Sequence, residues 1–156
     1  MTPPDFGRRH DGPELLDTED PAPDELGRTL AELELINRCL GGHSTTLAAL
    51  AALAPPGLRR LRVLDVGCAD GAAAVVIQDW ARARGCQAEV HGIDLSAAAV
   101  RLASARLRPG LSFERRDLFD LPETEPFDIV HAGLMLHHCP GALAVRALKA
   151  MFARAR

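Results

Sequence analysis

The chain has 156 residues, of which 47% are hydrophobic and 25% charged, so it is predicted to fold as one globular domain and not as a disordered or fibrous protein. The 18 Lys and Arg against 21 Asp and Glu give a net charge of −3, so we expect neither a nucleic-acid partner nor binding to an anionic membrane. No apolar run approaches the roughly 18 residues of a spanning helix, and residues 1–5 lack the basic and apolar regions that are typical of a signal peptide. We therefore predict a cytoplasmic protein with reduced cysteines.

Three regions follow one another along the chain. Residues 1–23 combine five prolines with many acids and no apolar face, which is typical of a disordered acidic tail. Residues 24–57 contain two predicted helices: apolar residues recur every three or four positions from Leu26 to Leu40, and a second apolar stretch ends at the Pro55-Pro56-Gly57 turn. Residues 58–156 form the main domain.

Strands and helices alternate through this main domain. The predicted strands cover residues 63–66, 89–94, 111–116 and 127–132, and the predicted helices cover 72–83, 97–107 and 142–153. Such alternation is typical of an α/β protein with a Rossmann-like, doubly wound and mainly parallel sheet.

The segment most typical of a ligand site is Val63-Leu-Asp-Val-Gly-Cys-Ala-Asp-Gly71, a glycine-rich turn between the first strand and the next helix. It lacks the glycines that the dinucleotide fingerprint requires at positions 69 and 72, and the chain has no Gly-Lys-Ser/Thr of a P-loop. Asp65 would repel a pyrophosphate and attract a cation. We therefore expect a ligand with a sulfonium or amino group.

The chain resembles the class I S-adenosylmethionine-dependent methyltransferases. Their first motif, D/E-x-G-x-G-x-G, appears here with alanine in place of the middle glycine, a change that is conservative in size. The resemblance implies S-adenosylmethionine as the cofactor. The residues it assigns to the cofactor turn are Asp65, Gly67, Cys68, Ala69 and Gly71.

Two later segments resemble the family's second and third motifs, in the family's order. In the second motif, Asp94 would accept hydrogen bonds from both ribose hydroxyls, and Leu95 follows it. In the third, Asp117 would meet the adenine amino group and Leu118 would pack near the adenine ring. These roles come from the resemblance alone.

The segment Phe127-Asp-Ile-Val-His-Ala-Gly-Leu-Met-Leu-His-His138 resembles the fourth motif of small-molecule and quinone methylases. This resemblance implies a small-molecule methyl acceptor, and it implies that His131 lies at the cofactor. His137 and His138 are candidates for a general base because imidazole titrates near neutral pH, although either could equally be a loop residue. We expect no metal site, since the adjacent side chains of His137, His138 and Cys139 cannot all converge on one ion.

In such enzymes, residues 24–57 would form an N-terminal lid over the site. A complete member of the family has a seven-stranded sheet, so we expect this chain to be truncated after the fourth strand and its following helix, and to have weak or absent activity alone. The fourth strand would have an open edge that predicts pairing between copies. Two alternatives stay open: a non-catalytic cofactor-binding module that pairs with a partner subunit, and an NAD-dependent oxidoreductase of the same fold.

Overall fold

A computed structural model of the chain describes residues 23–55, 57–122 and 126–156. The predicted acidic tail over residues 1–23 lies outside these ranges, except for Pro23 at the start of the first helix. The helices are α1 (Pro23–Cys39), α2 (Gly42–Leu53), α3 (Ala72–Arg82), α4 (Ala97–Ser104) and α5 (Gly141–Phe152). The strands are β1 (Arg60–Val66), β2 (Gln87–Asp94), β3 (Leu111–Arg115) and β4 (Ile129–His131), and short 3-10 turns cover Leu118–Asp120 and Leu136–His138.

The four strands form one parallel sheet in the order β3-β2-β1-β4. This confirms the predicted α/β fold with a Rossmann-like parallel sheet preceded by helices. The predicted elements are all present, but several differ in length. β1 begins three residues before Val63, α4 ends three residues before Leu107, and β4 is reduced to Ile129–His131. At the start of the predicted fourth strand, Phe127 instead forms an isolated parallel bridge with Ala155.

The two faces of the sheet carry different cores. On the first face, alternate residues of β1 and β2 pack with α2 and α3 in a cluster that includes Leu61, Val63, Val90, Leu50 and Ile77. On the second face, Leu64, Val66 and Ile93 pack with Ala147 and Met151 of α5. Helices on both faces make the sheet doubly wound.

The N-terminal helices differ from a simple amphipathic pair. Leu26 is buried beside Ala98 and Ala99 of α4, but the apolar stripe does not stay covered along α1. Leu40, at its end, is 80% exposed. The core therefore covers only the first half of the predicted stripe. Farther along α1, the side chains that contact α2 are polar: Glu34 pairs with His43, and Asn37 lies against Gly42.

Candidate active site

The predicted site residues converge because the strands are parallel. Asp65 is paired in register with Gly92 of β2 and with His131 of β4. The carboxyl ends of parallel strands lie at one edge of the sheet, which is where open α/β sheets bind ligands. The loops after β1, β2 and β4 therefore meet at this edge.

The turn after β1 is held in a conformation that favours glycine. Gly67 and Gly71 have φ angles of +71° and +77°, in the left-handed region. A Cβ atom at Gly71 would lie 2.7 Å from the Phe113 ring, and one at Gly67 would lie 2.8 Å from the Met135 side chain. Both glycines are thus required by backbone conformation and by close packing.

Ala69, which replaces the family's middle glycine, also has a positive φ, +48°. This conformation is uncommon for a residue with a Cβ atom. Its backbone N–H donates a hydrogen bond of 2.9 Å to Asp94 Oδ2, which helps to hold the turn. The substitution therefore preserves the left-handed turn.

Asp94 joins the two loops. One carboxylate oxygen accepts from Ala69 as described, and the other accepts from the Ser96 N–H at 2.9 Å. The side chain is half-buried, and its carboxylate retains acceptor capacity for further donors. Leu95 beside it is 65% exposed.

Cys68 takes part in the turn through its backbone. Its N–H and that of Gly67 both donate to the Ile93 carbonyl, at 3.0 and 2.9 Å. Its side chain is buried beneath Gly92. Burial raises the pKa of the Cys68 thiol, and the charges of Asp65 and Asp94 raise it further, so the side chain is a protonated apolar group.

Asp117 and Leu118 follow β3. The Asp117 carboxylate caps the short 3-10 turn by accepting from the Phe119 N–H at 2.9 Å. The Leu118 side chain is buried in the second-face cluster with Leu64 and Ile93. The side chain that the resemblance places near the adenine ring, that of Leu118, is therefore already packed in the core.

An ion pair that the sequence did not indicate lies at the rim of the turn. Arg106, just beyond α4, forms a salt bridge with the Asp70 carboxylate and donates to the Asp70 carbonyl at 2.8 Å. Because Asp70 is the residue between Ala69 and Gly71, Arg106 holds the turn from outside. A cavity of about 300 Å³ adjoins this pair.

Asp65 and His131 form a buried pair. Asp65 is 1% exposed, and its Oδ1 lies 2.7 Å from His131 Nδ1. Asp65 Oδ2 is buried with no hydrogen-bond partner among the described residues. On the other side of the imidazole, Nε2 lies 3.2 Å from the Thr46 hydroxyl of α2. The sequence predicted that Asp65 would attract a cationic ligand, and one of its two carboxylate oxygens instead contacts an imidazole of the chain itself.

Sequence reasoning missed Thr46 altogether, because it lies on a helix 85 residues before its partner. His137 and His138, the candidate bases, are exposed on the turn after β4, and their ring centroids are 3.9 Å apart. The structure thus places His131 next to a buried carboxylate.

The comparisons with known proteins agree with this geometry. A family model described as a methyltransferase domain matches residues 63–156. The chain belongs to this methyltransferase family. The matched range begins in β1 and contains the turn, Asp94 and His131.

The solved structures that are similar to this chain include three methyltransferases. Magnesium protoporphyrin IX methyltransferase from Synechocystis PCC 6803, with bound S-adenosylmethionine, is 25% identical over 73% of this chain and 55% of its own, with a TM-score of 0.56. The amino pentose methyltransferase CalS10 from Micromonospora echinaspora, also with S-adenosylmethionine, is 26% identical over 73% and 45%, with a TM-score of 0.58. An S-adenosylmethionine-dependent methyltransferase from Mesorhizobium loti is 30% identical over 69% and 47%, with a TM-score of 0.50.

These matches confirm the predicted family, and the cofactor predicted from the sequence is the one bound in two of the matched structures. The methyltransferase chain described here spans about half the length of those structures. No curated protein sequence matches it.

The site's own residues suit such a cofactor. Asp94 has acceptor capacity left for hydroxyl donors, and Asp65 Oδ2 is a buried carboxylate oxygen that lacks a donor among the described residues. The turn between them places backbone N–H groups next to the start of α3. The donor and acceptor set therefore fits a ligand with ribose hydroxyls and a positive charge.

Proposed function

We propose that this chain forms the cofactor-binding half of an S-adenosylmethionine-dependent methyltransferase that acts on a small-molecule acceptor. The observation that carries the proposal is the Asp94 carboxylate, held between the glycine-rich turn and the loop after β2 by two backbone N–H groups. A fixed carboxylate at this strand end is suited to two vicinal hydroxyls.

Other residues would complete the binding of the cofactor. The turn over residues 67–71, with Cys68 contributing its backbone, would contact its methionine part, and Asp117 would accept from the adenine amino group. Leu95 and Leu118 would flank the adenine, the first by its exposed side chain and the second from the core below. Met135 packs against Gly67, so its flexible side chain would have to move aside when the turn is filled.

The cofactor supplies a methyl group bound to a sulfonium, which is already a good leaving group. The chain would mainly hold the reactants in line and exclude water. Residues 24–57 would act as the lid: α2 reaches the site through Thr46, while α1 carries exposed leucines toward its end.

Within the described residues, no helix has the length and apolar character needed to span a bilayer. A cytoplasmic location stays a prediction.

Calorimetric titration with S-adenosylhomocysteine tests the cofactor site. We expect micromolar binding by the wild-type chain. In Asp94→Asn, which retains a carbonyl acceptor for a backbone N–H, affinity should fall about tenfold to hundredfold because charge-assisted hydrogen bonds to the ribose are lost.

The matched control is Glu89→Gln, the same chemical change on the second face of β2, where the carboxylate is 51% exposed. It should bind like the wild type. Equal affinity in Asp94→Asn, or no binding by a folded wild-type chain, would refute the proposal.

A second candidate is a cofactor-binding module that pairs with another subunit or another copy. It is favoured by β4, whose residues Ile129–His131 pair only with β1 among the described residues. One exposed strand edge is a recognised site of pairing. Light scattering of the purified chain separates the two: a stable oligomer without turnover favours the module.

A further inference from the structure

His131 has a position that contact with the cofactor alone does not explain. It stands at the carboxyl end of β4, directly beside Asp65 in the neighbouring strand. Its side chain is 15% exposed, so it is held by the protein without being sealed from the site. Thr46 approaches the same imidazole from α2.

Asp65 sets the chemistry of this imidazole. A carboxylate in its ionised form can only accept hydrogen bonds, and with Asp65 in that form His131 Nδ1 donates to Asp65 Oδ1 across the 2.7 Å separation. In the neutral ring, Nε2 then carries the free lone pair, and it lies 3.2 Å from the Thr46 hydroxyl. A base oriented by a carboxylate and facing a hydroxyl is the arrangement that activates hydroxyl nucleophiles.

The other imidazoles are placed differently. His137 and His138 are exposed, His91 is on the second face of the sheet against Ser112, and His43 is paired with Glu34 at 2.8 Å. His131 is the imidazole that contacts the buried carboxylate of Asp65 at the strand ends where the site lies.

The chain also indicates what kind of acceptor would bind here. The turn after β4 carries the apolar run Leu134–Leu136, and Leu134 is 62% exposed with a φ of +60°. An exposed large apolar side chain three residues after an oriented base suits an acceptor with an apolar ring and a hydroxyl. A phenol combines these two properties.

We infer that His131 accepts the proton of a phenolic acceptor during methyl transfer, with the acceptor's hydroxyl taking the place that the Thr46 hydroxyl occupies at Nε2. The inference rests on the proposed function and adds the acceptor class and the base. The oxygen lone pair forms the new bond to the methyl carbon, the carbon–sulfur bond breaks with its electron pair on sulfur, and the O–H proton goes to Nε2. The positive charge passes from sulfur to an imidazolium beside Asp65.

The test uses 4-nitrophenol as the probe, because its ionised form absorbs visible light and no turnover is needed. The full chain is saturated with S-adenosylhomocysteine, and the probe is added at a pH where most of it is un-ionised in solution. We expect bound probe to show the phenolate absorbance. ¹H–¹⁵N spectra of the imidazoles should show His131 protonated at both nitrogens only when the probe is bound.

Two variants locate the proton acceptor. His131→Asn keeps an N–H that can donate to Asp65, as Nδ1 does, and removes Nε2. With S-adenosylhomocysteine again at saturation, it should lose the absorbance change and bind the probe about tenfold more weakly. Thr46→Val removes the internal hydroxyl and should retain both signals.

His91→Asn is the matched control and should behave like the wild type. Bound probe that stays un-ionised, an absorbance change that persists in His131→Asn, or a probe that does not bind to the saturated chain would each overturn the inference. Failure of S-adenosylhomocysteine itself to bind would instead overturn the proposed function, and this inference with it.

Discussion

The two faces of the sheet are built on different principles. The first face is apolar and closed: Val63 and Val90 of the sheet and Ile77 of α3 are at most 1% exposed where α2 and α3 pack on the strands. The second face is closed where α5 packs, which is over Leu64 and Val66 of β1, over Ile93 at the end of β2, and over β4. Over β2 and β3 it carries charged and polar side chains that line a cavity of about 610 Å³, and these include Glu89, His91, Ser112, Glu114 and Arg116.

This difference shows which part of the molecule sets its stability and which part can be exposed to water. Parallel sheets are usually covered on both faces. Here the open part is satisfied by its own polar contacts: Arg116 forms an ion pair with Glu114, and His91 contacts both Ser112 and Glu114. The covered face should therefore respond strongly to a change in volume, and the open face only to a change in charge.

The largest expected effect is on the covered face. Ile77 of α3 is fully buried against β1 and β2, so Ile77→Ala leaves a cavity and should lower the free energy of unfolding by about 2 to 5 kcal/mol. Denaturant unfolding followed by circular dichroism measures this. The matched control is Leu148→Ala on α5, where the side chain is 49% exposed and the loss should stay near 0.5 kcal/mol. Equal losses in the two variants would contradict the comparison.

A smaller effect is expected at Gly92, where the backbone of β2 is in close contact with neighbouring side chains. A Cβ atom at Gly92 would lie 2.6 Å from the Phe113 ring and 2.9 Å from Cys68 Cβ. Gly92→Ala should therefore cost about 1 to 3 kcal/mol through overpacking, measured by the same unfolding experiment. Gly141→Ala is the control, because nothing lies within 4 Å of a Cβ atom there. A neutral Gly92→Ala would show that the covered face can accommodate added volume.

Part of this difference was predictable from the sequence. In β2, Gln87-Ala-Glu-Val-His-Gly-Ile-Asp94 alternates polar and apolar residues, as expected for a strand with one covered face, whereas Val63–Val66 of β1 is largely apolar and is buried on both faces. The positions of Asp65 and Asp94 toward strand ends also followed from the motifs.

The contacts that define the site were not predictable in the same way. Asp65 and His131 meet through pairing between β1 and β4, and Thr46 reaches them from a separate helix, so no local spacing encodes the group. The apolar stripe of α1 indicated a helix but could not indicate how far along it the core would extend. Periodicity predicts which residues share one face of an element, while tertiary packing decides which face is covered.

The smallest effect is expected from charge on the open face. Burial lowers the pKa of His91 below its ordinary value of 6.5; Glu114 raises it and Arg116 lowers it further. The folded state thus binds this proton less tightly than the unfolded state, and the free energy of unfolding should decrease as the pH falls below about 6.5. His91→Asn, whose amide can still bond to Ser112, should show a shallower decrease between about pH 7 and 5. Unfolding curves at several pH values measure the slope, and an identical slope in the variant would mean that the open face is fully solvated and does not perturb His91.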